Sequence, residues 1–227
     1  MEINSLHDLY LAGVKWELSN FAYPKKESKQ ENIEQKIVHN TKNIITPIAP
    51  ISMTAAQEIV CNATNFSELC NTITEFNHPL KMFAKNTILP TIGEKLLILT
   101  DSPSSEDDEF GQILSGVSGE LLDKMLNAIG LERNLVSICP LLFWRTPGGR
   151  TPTDEELSLT KPFVDKFIEL SNPTAVLTLG PLAAKYQFKN NPEFQIFSIP
   201  NPSYMILKPD SKKIAWDQLQ KMLKSLE

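Results

Sequence analysis

The chain has 227 residues, of which 41% are hydrophobic and 22% charged, and its formal net charge is -5. This length and composition are typical of one globular domain with room for a tail. With nineteen lysines, three arginines and a net charge of -5, the composition shows no excess of positive charge for a broad face that binds nucleic-acid phosphates. Any contact with DNA must therefore be local.

The three cysteines, Cys61, Cys70 and Cys139, are widely spaced and have no histidine nearby at metal-ligand spacing. This pattern argues against a zinc site and a disulfide framework, and it is typical of a reducing compartment. No apolar run approaches the length of a membrane span, and the N-terminus lacks the basic start of a signal peptide. We expect a cytoplasmic protein without membrane contact.

The chain begins with a segment that differs in character from the rest. Residues 1–20 predict a short amphipathic helix that could bind a partner protein. Residues 21–53 are polar and charge-rich and contain several prolines, so they predict a flexible linker. Apolar periodicity returns at residue 54, and residues 54–227 form the predicted domain, which starts with helices at 55–60 and 66–76.

The chain is organised around residues 96–130. Residues 96–100 are a short apolar run bounded by turn residues, which predicts a buried strand. Residues 101–111 are small and acidic and predict a loop, in which the acidic run 106–109 is either solvated or part of a pocket. Apolar residues at helical spacing follow, with Ser118 as the predicted N-cap. In an open α/β sheet this unit places its loop at the carboxyl edge, where ligands bind.

The remaining elements alternate in type. Strands are predicted at 135–139, 175–179 and 195–199, and helices at 157–170, 182–186 and 212–226. A capping box of Thr153 and Glu156 begins the first of these helices, in which Pro162 predicts a kink or break. The order of strand, helix, strand, helix predicts a layered α/β sheet.

Motifs along this domain resemble those of the family 4 uracil-DNA glycosylases. The family signature G-E-A-P-G-x-x-E-D-x-x-G-x-P-F-x-G-x-x-G is matched in layout by Thr100-Asp101-Ser102-Pro103-Ser104, Asp107-Asp108, Gly111, Ile113-Leu114, Gly116 and Gly119. The family's K-C-R-P-P-G-N-R-x-P is matched at Arg145, Pro147, Gly148, Arg150 and Pro152, and its H-P-S-Y at Asn201-Pro202-Ser203-Tyr204. Trp144 stands at the cysteine of the second motif, as in the alphaproteobacterial branch of the family.

The resemblance implies a three-layer α/β/α fold with a central, mainly parallel four-stranded sheet. It also implies base-excision repair of uracil in DNA, in which a flipped base is held by four groups. The family's loop carboxylate corresponds to Asp101, its stacking Phe to Leu114, its base-reading Asn to Pro140 and its catalytic His to Asn201. Ser102 and Pro103 fall in the pocket floor. We therefore expect Asp101 and Asn201 at degenerate catalytic positions.

These replacements leave two interpretations of function. One is a DNA glycosylase with weakened or altered base excision, because the stacking, base-reading and catalytic side chains are all changed. The alternative is a catalytically inactive domain that binds DNA or a protein partner. The candidate DNA contacts are Ser118, Arg150, Ser203, Tyr204, Met205 and Lys208, although Tyr204 and Met205 could equally be core residues. A monomer is expected.

An iron-sulfur cluster, which some members of the family hold, is not expected here. A four-thiolate cluster needs four cysteines, and this chain has three. The family's ligand positions that can be placed fall on His78, Trp144 and Thr160, so none of the cysteines matches them. We expect neither a cluster nor another metal.

Overall fold

The structure is a computed structural model in which residues 53–94, 96–189 and 194–226 are described. The predicted N-terminal helix, and the predicted linker apart from its last residue Met53, lie outside these ranges. Within them, no helix combines the length and the apolar character that crossing a membrane requires.

The four strands and the longer helices follow one another in the predicted order. The strands are β1 (Leu96–Thr100), β2 (Ser137–Pro140), β3 (Ala175–Leu179) and β4 (Gln195–Ile199). The helices are α1 (Met53–Cys61), α2 (Phe66–Glu75), α3 (Ser105–Phe110), α4 (Gly116–Asn127), α5 (Asp154–Ser171), α6 (Pro202–Leu207) and α7 (Ser211–Leu226). Short 3-10 turns span Pro79–Met82, Arg133–Leu135, Pro147–Gly149 and Ala183–Lys185.

The four strands form one parallel sheet in the order β2-β1-β3-β4. Thr100 pairs with Pro140 on one side and with Leu179 on the other, and Leu179 pairs with Ile199, so the carboxyl ends of all four strands lie along one edge. Every residue of β1, β2 and β3 is buried. Such continuous apolar strands are typical of parallel sheets that helices cover on both faces.

Helices cover both faces of the sheet, which confirms the predicted three-layer α/β/α fold. Leu97 and Leu99 pack in one buried cluster with side chains of α1, α2 and α5. Because successive strand residues point to opposite faces, Leu96 and Ile98 face the other layer. In that layer α7 packs on β4 and α4 packs on α6.

The predicted loop over 101–111 is wrong in part, because α3 occupies its second half. Ser104 and Asp107 form a reciprocal capping box at the start of α3, and acidic residues fill its first turn, where they favour the positive end of the helix dipole. Gly111, with φ of 68°, ends the helix. Its six residues lack apolar periodicity, so the sequence contained only cap signals for this helix, namely Ser104 with Asp107 and Gly111.

Four other predicted elements differ from the structure. The helix expected to begin at Ser118 begins at Gly116 with Ser115 as its N-cap, so Ser118 lies inside the first turn of α4. The helix expected over 182–186 is only a 3-10 turn. The segment after β4, for which no helix was expected, contains α6. Helix α5 continues across Pro162, so the predicted break is wrong, because buried Phe163, Val164 and Phe167 hold the helix on the core where proline removes one hydrogen bond.

Candidate functional site

The candidate site residues lie along the carboxyl edge of the sheet. Asp101 directly follows β1, Pro140 ends β2, and Asn201 lies two residues after β4. The main-chain N–H of Leu141 donates to the carbonyl oxygen of Asp101 at 3.0 Å, which ties the ends of β1 and β2 together. The chain leaves β1 towards β2 on one side and leaves β3 towards β4 on the other. The crevice between β1 and β3 is therefore the topological switch point, where open α/β sheets bind ligands.

Asp101 spans that crevice. Its Oδ1 accepts hydrogen bonds from the main-chain N–H groups of Leu182 at 3.1 Å and Ala183 at 2.7 Å, in the loop after β3. Gly180, with φ of 100°, lies so close that any Cβ there would overlap the Asp101 carboxylate. Burial raises the pKa of Asp101 above its ordinary value of 3.8, and the two N–H donors oppose this shift. Asp101 thus braces two strands while keeping a carboxylate at the switch point.

We predict that Asp101→Asn folds normally, because the amide oxygen can accept the same two hydrogen bonds. Asp101→Ala loses both bonds and is expected to cost about 1–3 kcal/mol of stability, measured by urea unfolding. Because the carboxyl pKa is raised in the folded protein, wild-type stability falls as pH rises through that pKa. The Asn variant should therefore gain stability relative to wild type between acidic and neutral pH. Equal losses in both variants would contradict the bracing role.

Asn201 caps helix α6 with only part of its side chain. Its Oδ1 accepts hydrogen bonds from the main-chain N–H and the hydroxyl of Ser203, at 3.0 and 2.8 Å. Pro202 occupies the first position of the helix, where a missing N–H has no consequence. Among the described residues, the Nδ2 amide of Asn201 has no hydrogen-bond partner. The half-buried amide can therefore donate to a ligand at this edge.

The base-pocket candidates are mostly buried. Leu114, Pro103 and Pro140 are buried, and Ser102 is half-buried. Leu114 lies just before α4, which packs against α6, so its loop and the Asn201 turn border the same edge. Pro140 has neither a main-chain N–H nor a polar side chain to offer a ligand. Asp101, Pro140 and Asn201 all lie along this edge of the sheet, after β1 and at or beyond the ends of the two outer strands, and Leu114 lies on the adjoining loop.

Helix α6 divides the DNA-contact candidates between core and surface. Met205 is completely buried, so in this conformation it is a core residue. Tyr204 is 51% exposed and Leu207 is 72% exposed, and Lys208 directly after the helix is also exposed. Tyr204, Leu207 and Lys208 thus form an apolar and basic surface beside the Asn201 turn.

Of the three remaining DNA-contact candidates, Ser203 is exposed and its hydroxyl donates to Asn201, whereas Arg150 and Ser118 are less available than Tyr204 and Lys208. Arg150 donates two hydrogen bonds to the carboxylate of Glu156, at 2.8 and 2.5 Å, and a third to the carbonyl oxygen of Thr151. Ser118 is half-buried within α4. A phosphate would have to compete with Glu156 for the Arg150 guanidinium.

The acidic run 106–109 has a structural role in its two central residues. Asp107 accepts from the main-chain N–H groups of Ser104 at 2.9 Å and Ser115 at 2.6 Å. Asp108 accepts from the N–H groups of Lys85 at 2.8 Å and Asn86 at 2.9 Å. Both aspartates are buried, whereas Glu106 and Glu109 are exposed. The central carboxylates therefore hold the loop in place and are not free for a pocket.

Sequence reasoning missed the loop after β3, whose N–H groups hold Asp101. Its signal was the Gly180-Pro181 turn directly after a predicted strand, since parallel strands end at the same edge. It also missed Arg133, which donates to the carbonyl oxygens of Ile113 and Leu114. An arginine twenty residues away in sequence has no local signal for this contact.

The positions that would hold an iron-sulfur cluster are filled by other groups. His78, Trp144 and Thr160 are each at most 1% exposed, and the His78 and Trp144 rings stack at 4.9 Å with 12° between their planes. The Nε1–H of Trp144 donates to the Thr87 hydroxyl at 3.0 Å, and the Thr160 hydroxyl donates to the Leu141 carbonyl at 2.7 Å. Thiolates are absent at these positions, and the volume is occupied by packed side chains. The residues do not fit a four-thiolate cluster.

His78 is held as a neutral imidazole. Its Nδ1 accepts from the N–H of Leu80 at 3.1 Å, and its Nε2–H donates to the carbonyl oxygen of Glu156 at 3.2 Å. Burial lowers the pKa of His78 below its ordinary 6.5, although the nearby Glu156 charge and carbonyl favour protonation. Hydrogen bonds from Arg150 lower the pKa of Glu156 to about 2, so Glu156 stays ionised while His78 titrates.

We predict that stability falls as pH drops below about 6.5. In that range the unfolded chain binds a proton at residue 78 that the folded protein resists, so the free energy of unfolding decreases. His78→Asn can still accept the Leu80 N–H, as Asn201 does before Ser203, but it cannot titrate. Urea unfolding from neutral to mildly acidic pH should show a smaller loss for this variant. The same pH dependence in both proteins would show that His78 is not its source.

The chain matches known proteins over the region that contains these positions. The model of the Uracil DNA glycosylase superfamily matches residues 88–220, which include all four strands. The Type-4 uracil-DNA glycosylase of Pyrobaculum aerophilum is 32% identical over 110 residues, which cover 47% of this chain and 56% of the relative. The enzyme of the same name from Thermotoga maritima is 30% identical over 110 residues, covering 48% and 57%.

The Type-4 uracil-DNA glycosylase of Archaeoglobus fulgidus is 31% identical over 107 residues, or 46% of this chain and 54% of the relative. The chain thus spans about half the length of the curated relatives it matches. The superfamily model, by contrast, covers more than half of the chain, from the segment before β1 into α7. The chain belongs to the uracil DNA glycosylase superfamily.

Proposed function

We propose that this protein is a DNA glycosylase of base-excision repair with weakened or altered excision of uracil. The observation that carries the proposal is the composition of the switch-point edge, where a carboxylate and an unpartnered amide donor remain beside a buried proline. Asp101 and Asn201 can act on a flipped nucleotide. Pro140 cannot read the edge of its base.

The expected loss in the rate of uracil excision follows from the two polar groups that are missing, the catalytic histidine and the base-reading asparagine. Removing one preorganised donor to a developing negative charge costs roughly 10² to 10³ in rate. An unmade base-reading hydrogen bond costs about another 1–3 kcal/mol. The Nδ2 amide of Asn201 recovers part of the first loss, because it is half-buried and free to donate. No histidine follows residue 78, so no imidazole from the later strands and loops can replace it.

DNA would contact only a small part of the protein surface, since the net charge of the chain is -5. Tyr204 and Leu207 are large apolar side chains exposed on α6, and such residues can insert beside an extruded nucleotide. Lys208 stands next to them and can contact a phosphate. We therefore propose that α6 is the element that contacts the DNA strand.

Incubation of the full chain with uracil-containing single-stranded and duplex oligonucleotides tests the proposal. Abasic sites, revealed by alkaline cleavage, are expected to form slowly with uracil and not with thymine at the same position. Asn201→Ala removes the amide donor and should lower the residual rate further. Excision of another damaged base in place of uracil would support the altered specificity, and binding without any abasic product would contradict the enzyme.

The second candidate is a catalytically inactive module that binds DNA or a protein through the same edge. It is favoured by the exposed apolar and basic surface on α6, next to a turn in which Asn201 stands at the family's histidine position. In this case Tyr204→Ala and Leu207→Ala should weaken DNA binding, while Asp101→Asn should leave it unchanged. Binding with no abasic product from any base would favour this candidate.

We also propose that the protein functions without an iron-sulfur cluster. The proposal is supported by the burial of His78, Trp144 and Thr160 and by the hydrogen bonds that their polar atoms already make. Iron and sulfide analysis after anaerobic purification and reconstitution should show no stoichiometric cluster. A stoichiometric cluster with its visible absorbance would contradict the proposal.

A further inference from the structure

Leu114 has an unusual backbone conformation for its residue type. Among the described residues other than glycine, only Leu114 and Asn172 have positive φ, at 52° and 41°. Asn172 ends helix α5, where a left-handed asparagine is common. Leu114 is an apolar residue, only 5% exposed, and it lies in a loop before a helix. Leucine avoids this region, and such conformations persist only where the surroundings impose them, often at functional sites.

Arg133 imposes the conformation from one side. Its Nη2 donates to the carbonyl oxygen of Leu114 at 2.8 Å, and its Nη1 donates to that of Ile113 at 3.2 Å. Its Nε donates to Asp123 on α4 at 2.7 Å. One planar guanidinium therefore fixes two consecutive carbonyl groups relative to a helix, which the single ammonium of lysine cannot reproduce.

Two further contacts complete the restraint. Asp107 accepts a hydrogen bond from the N–H of Ser115 at 2.6 Å, on the peptide group that also contains the Leu114 carbonyl. Gly119 lies against that carbonyl so closely that any Cβ would overlap its oxygen. Both peptide planes that flank Leu114 are thus held. The orientations of these planes define φ and ψ at residue 114, so the contacts determine where its side chain points.

We propose that Arg133 is a positioning residue of the switch-point site. With Asp123, it holds Leu114 in the left-handed conformation and so keeps the Leu114 side chain as a fixed apolar wall for the bound base. The identity of the base depends on the proposed function, whereas the restraint on Leu114 does not. The side chains of Arg133 and Asp123 are 33% and 44% exposed, so both can be substituted without opening the core.

The first test measures conformation without activity. Arg133→Lys keeps the charge. In this variant the HN–Hα coupling constant and the 13C chemical shifts of residue 114 should change away from the values typical of a left-handed residue. Lys221→Gln, at an exposed residue of α7, is the control and should leave them unchanged. In a Leu114→Gly background Arg133→Lys should destabilise the protein less, because glycine adopts positive φ without strain. A left-handed Leu114 that persists in Arg133→Lys, or equal destabilisation in both backgrounds, would overturn the inference.

The second test measures single-turnover base excision and DNA affinity. Arg133→Lys should lower the excision rate about tenfold or more, because a small displacement of a side chain that positions the substrate greatly reduces the rate. The affinity for DNA should stay close to that of the wild type. A wild-type protein without excision activity would reject the proposed function, and the NMR result would still decide the role of Arg133. A wild type that excises bases, with an Arg133→Lys variant that matches its rate, would reject the positioning role alone.

Discussion

The triple variant Asn201→His, Pro140→Asn and Leu114→Phe is expected to excise uracil about 10³-fold faster than the wild-type protein, or more. The histidine supplies a donor to the base oxygen that gains charge, worth roughly 10² to 10³ in rate. The asparagine restores a base-reading hydrogen bond worth about 1–3 kcal/mol. The aromatic ring adds stacking on the base, worth about 0.5–1.5 kcal/mol beyond its buried area.

The structure contains a precedent for the histidine at position 201. His78 precedes Pro79, and its Nδ1 accepts the main-chain N–H two residues further on. Asn201 precedes Pro202 and accepts the N–H of Ser203 in the same way. A histidine there can therefore cap α6 through Nδ1 and keep Nε2–H free for the substrate. The cap need not be lost when the donor is gained.

Single-turnover rates on a uracil oligonucleotide measure the gain. Asn201→His alone should produce the largest single increase, and Asn201→Gln is its control, because it retains an amide without the imidazole. Far-ultraviolet circular dichroism and urea unfolding show whether each variant folds. A folded triple variant with no increase in rate would mean that the substituted side chains do not explain the weak activity.

Trp144→Ala is expected to destabilise the protein by about 3–5 kcal/mol, as is typical when a buried aromatic residue is removed. Trp144 is 1% exposed, stacks on His78 and meets the edge of Phe143 at a centroid distance of 5.9 Å. It also donates to Thr87. This side chain therefore joins the segment before β1 to the loop after β2.

Urea unfolding of Trp144→Ala and Trp144→Phe separates two contributions to the free energy of unfolding, that of the stacked ring and that of the hydrogen bond to Thr87. The phenylalanine variant keeps an aromatic ring on His78 and loses the indole N–H, so it should lose only about 1–2 kcal/mol, the usual effect of one hydrogen bond and some packing. Equal losses in the two variants would show that the hydrogen bond to Thr87, and not the stacked ring, carries the stabilisation. No measurable loss in the alanine variant would contradict the packing role altogether.

Much of the fold could be predicted from the sequence because its signals are local. The apolar runs of β1 and β3 are short and uninterrupted, which indicates strands buried on both faces. The capping box of Thr153 and Glu156 operates within four residues, and the structure shows both of its hydrogen bonds. Helix α3 also begins with a capping box, but its six residues lack apolar periodicity, and its position depends on Asp108, which is held by Lys85 and Asn86 more than twenty residues away.

The candidate site was predictable as a set of positions but not as a set of interactions. Arg150 stands in a motif that suggests a phosphate contact, yet its guanidinium pairs with Glu156. Met205 could, from the sequence, equally contact DNA or belong to the core, and the packing of α6 buries it. A helix presents its residues to opposite sides, so the face that meets the core decides which of them can reach DNA.

The sequence by itself determined the order of the four strands and of the long helices between them, the residues that end β1, β3 and β4, and the absence of a histidine after residue 78. Tertiary structure alone decided that Asp101 bonds to the loop after β3, that Arg133 holds Leu114, and that His78 stacks on Trp144. The reason is distance along the chain. Caps and apolar periodicity depend on residues that are near in sequence. These three contacts join residues that are far apart in sequence and that only the folded domain brings together.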